Sequence, residues 1–109
     1  MPNFESFNLE EFKLGWIVGN FVPTLIQSND IEVAIKYFKS GDTEPSHMQL
    51  VATEITIVVS GRIRLGKNTY GPKEIVKIPP KTLADFESLT DSALVCIKYP
   101  SIPNDKVLE

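Results

Sequence analysis

Apolar and polar residues alternate along most of this chain in short runs, and helical spacing is rare. In IEVAIKYFK, residues 31–39, Ile31, Val33, Ile35 and Tyr37 fall on one side and Glu32 and Lys36 on the other. A period of two specifies a strand, and this one is expected to bury its apolar side. RIRL, residues 62–65, sets Arg62 and Arg64 against Ile63 and Leu65 in the same way. Further β-branched and aromatic runs occupy 14–19, 48–52, 54–60, 74–78, 85–88 and 93–99, separated by SND, SGD, SG, GKN, YGPK, PPK and LTDS, which are turn sequences. Ser60-Gly61 suits a tight bend, so 54–60 and 62–65 are expected to pair antiparallel. The first dozen residues, with Phe4, Phe7 and Phe12 among acids, suggest at most a short helix or turn. Many short strands without a long helical segment predict an all-β sandwich or barrel.

A length of 109 residues is enough to close one hydrophobic core and too little for two. The 42% apolar and 23% charged composition is that of an ordinary globular domain, and no linker or repeat divides it. The formal charge of −3 is spread along the chain and leaves no basic stripe, which argues against nucleic acid as a partner. MPNFESFNLEEFK carries acids where a secretory leader needs basic and then apolar residues, and no apolar run approaches the roughly 20 residues that span a bilayer. The expectation is a cytoplasmic protein without a membrane partner. Cys96, the one cysteine, lies in ALVCIKY and reads as a buried, inert thiol. Trp16 reads as core, with a stacking platform for a sugar ring as the alternative.

The candidate chemistry lies in SGDTEPSHMQLVATEITIVVSG, residues 40–61, which holds the only histidine, His47, with Gln49 and Glu54 after it. Residues two apart on a strand point the same way, so His47 and Gln49 face one ligand, and Glu54 on the next strand is placed to join them. Imidazole, amide oxygen and carboxylate all ligate divalent metals, but one imidazole with one neutral amide is a poor donor set.

The spacing of Gly41, His47, Gln49, Glu54 and Gly61 resembles the first signature motif of the cupin superfamily: glycine, five residues, His, any, His, three or four residues, Glu, six residues, glycine. Only the second His is replaced, by Gln49. The second motif is partly retained in KEIVKIPPKTLADFES. Ile78, Pro79 and Pro80 match its core, while Lys73 and Lys81 stand at its glycine positions, Ala84 at its His and Ser88 at its Asn. The chain is also similar to small cupin-domain proteins that share segments like Gly15 to Pro23, Ala52 to Gly61, Asp85-Phe86 and Pro100 to Lys106. Members of that branch commonly keep the second His.

This resemblance implies a double-stranded β-helix, or jelly roll, with residues 1–30 as an N-terminal extension packing on the barrel or on a partner subunit and 31–109 as the barrel. It implies a pocket lined by His47, Gln49, Glu54 and Asp85. Arg62 and Arg64, alternating on one strand face, read as a solvated face, with a grip on a ligand carboxylate or phosphate as the alternative. It also implies a divalent metal (Mn, Fe, Ni or Zn) held weakly by His47, Gln49 and Glu54, and a homodimer in which the N-terminal segment adds a strand to its neighbour's sheet. The first reading of function is binding of a small polar ligand, a carbohydrate or sugar derivative. The second is a metal-free nucleotide-sugar isomerase or epimerase. There His47 is the general base, since imidazole titrates near neutral pH, Glu54 or Asp85 is its partner, and Tyr37, Tyr70 or Tyr99 is the acid. The third is a dimeric interaction module with a vestigial pocket.

Overall fold

The computed structural model describes residues 3–108 and is built almost wholly of strands. They are β1 Trp16–Gly19, β2 Ile26–Gln27, β3 Glu32–Phe38, β4 Thr43–Gln49, β5 Thr53–Ser60, β6 Ile63–Leu65, β7 Asn68–Tyr70, β8 Ile75–Ile78, β9 Ala84–Ser88, β10 Ser92–Tyr99 and β11 Lys106–Leu108. Two sheets face each other, one in the order β2-β1-β3-β10-β5-β8 and the other β11-β4-β9-β6-β7. Every pairing is antiparallel except β1 with β2. Residues 3–12 hold one short 3-10 turn, Leu9–Glu11, capped by Asn8, whose side chain accepts from the Glu10 N–H. In this chain β1 pairs with its own β3.

The structure corrects the expected hairpin between 54–60 and 62–65. β5 lies between β10 and β8 in the first sheet, while β6 lies between β9 and β7 in the second. Gly61 is the corner between the sheets rather than a hairpin tip. Its φ is +81°, and a Cβ there would stand 2.1 Å from the Asp91 carbonyl oxygen, so only glycine fits both the conformation and the space. The run 48–52 is also re-read. β4 occupies 43–49, and the chain then turns, because the buried Asp105 carboxylate accepts the Val51 and Ala52 N–H groups at 2.9 and 2.8 Å.

The third correction concerns which side of β3 is inside. Ala34, Lys36 and Phe38 point between the sheets, and Ile35 and Tyr37 face outward, Tyr37 being 71% exposed. The packed part of the interior is Ala34, Val58, Leu94 and Cys96 from one sheet against Ile63 and Phe86 from the other, with the Phe38 and Phe86 rings 4.6 Å apart. This cluster fills one end of the barrel. The other end is left to polar side chains.

Candidate functional site

β4 brings its polar residues to the open end through a bulge. Glu44 is in register with Phe86 and His47 with Ala84, so β4 holds one residue more than β9 across this interval. Pro45, which has no N–H to give to a ladder, lies in it. The extra residue lets Glu44 and His47, an odd number of positions apart, face the same cavity. The His47 ring is held by a 3.0 Å contact between Nδ1 and the Pro45 carbonyl oxygen, where Nδ1–H donates and Nε2 is left for a ligand. Gln49, two residues on, is only 5% exposed, and its amide nitrogen has no hydrogen-bond partner. From β5, Glu54 reaches the same cavity and accepts from the Thr56 hydroxyl at 3.0 Å.

The cavity has a volume of about 250 Å³. His47, Gln49 and Glu54 all line it, as their spacing predicted. The structure adds residues that the motif did not point to: Trp16 from β1, Lys36 from β3, Lys98 from β10 and Lys106 from β11. The Lys36 and Lys98 ammonium groups lie 5.2 and 4.8 Å from the centroid of the Trp16 ring. Lys98 also pairs with Glu32 at 4.0 Å, and Glu32 in turn accepts from the Ser101 hydroxyl. Lys36 has no ion pair among the described residues. Burial pushes its pKa below the ordinary lysine range, with nearby Glu44 acting in the opposite direction. A second cavity of about 320 Å³ shares Gln49, Lys98 and Lys106 with the first.

Asp85, Arg62 and Arg64 do not line the cavity, which corrects the placement expected of them. Ala84 and Phe86 point inward, so Asp85 between them points out. There it meets Arg64 at 3.2 Å, and Arg64 also reaches Glu87 at 3.4 Å. The Arg64 hydrogen bond holds the Asp85 carboxyl below the usual range. Arg62 is exposed and reaches Thr69. Tyr37 and Tyr99 are on the outside, and Tyr70 packs against the core. No tyrosine lines the cavity among the described residues.

Does this donor set suit a divalent metal? Opposite His47, where the second motif histidine would stand, is Ala84. The Gln49 amide nitrogen is unpartnered, three lysines share the cavity with Glu44 and Glu54, and among the described residues no three His, Cys, Asp or Glu side chains are grouped to hold a metal. A single imidazole with no second histidine opposite it is a poor donor set, and the residues do not fit a tightly held metal.

Cys96 is buried against this cavity, and burial pushes its thiol up to about 12, which agrees with an inert residue. Among the described residues no helix is long and apolar enough to cross a membrane.

Comparison with known proteins places the fold. No family model matches the sequence, and no curated protein matches it significantly. Solved structures do match. KdgF from a Halomonas species is 20% identical over 71% of this chain and 74% of its own, with a TM-score of 0.66. A Klebsiella pneumoniae protein with a double-stranded β-helix domain is 16% identical over 98% of both chains, with a TM-score of 0.71. A cupin-2 domain protein from Shewanella frigidimarina is 16% identical over 65% of this chain and 72% of its own, at 0.59. The chain therefore has the cupin fold, the double-stranded β-helix that its first motif implied.

Proposed function

From a cupin fold whose open end is polar, we propose that the protein binds a small polar organic ligand, a carbohydrate or sugar derivative, in the barrel cavity. The observation that carries this reading is the Gln49 amide nitrogen, buried without an acceptor at the wall of the cavity. An unsatisfied buried donor costs about 1–3 kcal/mol, and a ligand oxygen placed there recovers it. His47 Nε2 and the Glu54 carboxylate supply an acceptor or donor and an acceptor beside it, the arrangement that hydroxyl groups satisfy. A cavity of about 250 Å³ is at or below the small end of ligand pockets, about 300–1,000 Å³, so the ligand is of monosaccharide size.

A thermal-shift screen of monosaccharides, sugar alcohols and sugar acids tests this. A ligand at 100 times its Kd adds about 2.7 kcal/mol to stability, and Gln49→Ala and His47→Ala should each abolish the shift. A screen without shifts at 50 mM ligand would remove the reading. Elemental analysis of untagged protein incubated with Mn, Fe, Ni or Zn should find less than about 0.1 equivalent of metal, in keeping with the donor chemistry. The isomerase reading keeps His47 as its base but has no tyrosine acid in the cavity, which is also small for a nucleotide sugar.

A further inference from the structure

The ligand proposed above has a determinable charge. The registers of the first sheet set inward-facing rows across its strands. One row reads Glu32, Lys98, Glu54 and Ile78, so Lys98 lies between two carboxylates. The other reads Lys36, Leu94 and Val58, and here the cation has only apolar neighbours in register. Lys36 is half-buried, lines the cavity and lacks a counter-charge in ion-pair contact among the described residues, and its ammonium lies near the Trp16 ring, as that of Lys98 does. Two like charges beside one ring in a partly desolvated site repel each other. On a chain of formal charge −3, this concentration of lysines is the part of the cavity that wants a negative charge.

We infer that the cavity takes a polyhydroxylated monocarboxylate, its carboxylate between the Lys36 and Lys98 ammonium groups over Trp16 and its hydroxyls on Gln49, His47 and Glu54. This rests on the reading of the cavity as a ligand site. Glu44 and Glu54 also line the cavity; they accept from hydroxyls and disfavour a dianion, which makes the charge single. Trp16 is the only tryptophan, so its fluorescence reports this subsite alone.

The test titrates the protein with gluconate and with sorbitol, its uncharged counterpart, at constant ionic strength. Gluconate should change Trp16 emission saturably and bind at least 10-fold tighter than sorbitol. Lys36→Gln should bring the two within 2-fold of each other, and Lys36→Arg should restore the preference. Equal affinity of the wild type for both would overturn the carboxylate subsite and leave the ligand pocket standing. A gluconate titration without saturation would also overturn it, and the pocket reading would then be decided by the uncharged compounds of the thermal-shift screen.

Discussion

The two faces of β3, β10 and β5 carry opposite chemistry on the same backbone. Facing in are Lys36, Lys98, Glu54 and Thr56 together with Ala34, Val58, Leu94 and Cys96; facing out are Ile35, Val95 and Ile57. Charge is on the concave side and the β-branched stripe on the convex one, the reverse of a simple one-sided sheet. The difference teaches that the inside of this barrel is two environments. A dry end is closed by Phe38 and Phe86, and a polar end is held open by like charges and a bulge. The outer stripe is a second apolar surface on the same strands.

Neighbouring residues of β10 break that comparison most sharply. Leu94 is 3% exposed within the dry cluster, whereas Val95 faces outward. Leu94→Ala should cost about 2–5 kcal/mol by loss of transfer energy and by the cavity left behind. Val95→Ala should cost about 1 kcal/mol or less in the monomer, because no second layer collapses on it within the chain. Urea unfolding at low protein concentration measures both. Equal losses would mean that the convex face is covered within the chain.

Gly61→Ala is expected next, at about 2 kcal/mol or more, from a positive φ combined with a backbone clash at the Asp91 carbonyl. The same urea experiment reads it, and a loss below about 0.5 kcal/mol would show that the corner between the sheets relaxes freely.

That corner also marks where the sequence stopped being legible. The runs located seven of the strands and misplaced β4, because period two survives on either face of a sheet but Pro45 and the bulge interrupt it in 43–49. They did not give the sign of β3, since no motif residue pins which parity of IEVAIKYFK faces in; β5 escaped this because Glu54 belongs to the cupin spacing. Lys36 and Lys98 were therefore missed, although the equal parity of Lys36 and Lys98 about the cross-strand pair Ala34 and Cys96 would have given them once β3 and β10 were known to pair. That His47, Gln49 and Glu54 face one cavity was legible through spacing alone. β2, β7 and β11, of two or three residues each, are too short to show a period.

Lys36→Met should stabilise the fold while it removes the preference for a carboxylate, which sets the inner face against its own packing. Burial lowers the Lys36 pKa in the folded protein, so the unfolded chain binds that proton more tightly. Below the folded pKa the charge burdens the native state in full, and the burden lifts as pH rises from that value to the ordinary 10.5. Lys36→Met should thus gain about 1 kcal/mol at pH 7, and its advantage over wild type should narrow as pH rises toward 10.5 in melting curves. An advantage that widens with pH would contradict the desolvated lysine.

The smallest effect is expected where the resemblance to cupins promised a large one. Asp85 follows Ala84, the position of the missing motif histidine, and was expected among the residues that line the pocket. β9 remains regular there, with Leu65 opposite Phe86 and Arg64 opposite Glu87, so one residue of offset is a change of face. Asp85 is 47% exposed in its side chain and occupied with Arg64, on the side of the second sheet away from the cavity. Asp85→Ala should therefore leave gluconate affinity within 2-fold of wild type in the Trp16 titration, while Gln49→Ala, at a buried position on the cavity wall, weakens it at least 10-fold. An Asp85→Ala loss as large as that of Gln49→Ala would mean that β9 turns over in the liganded protein, bringing the face now seen outside into the site.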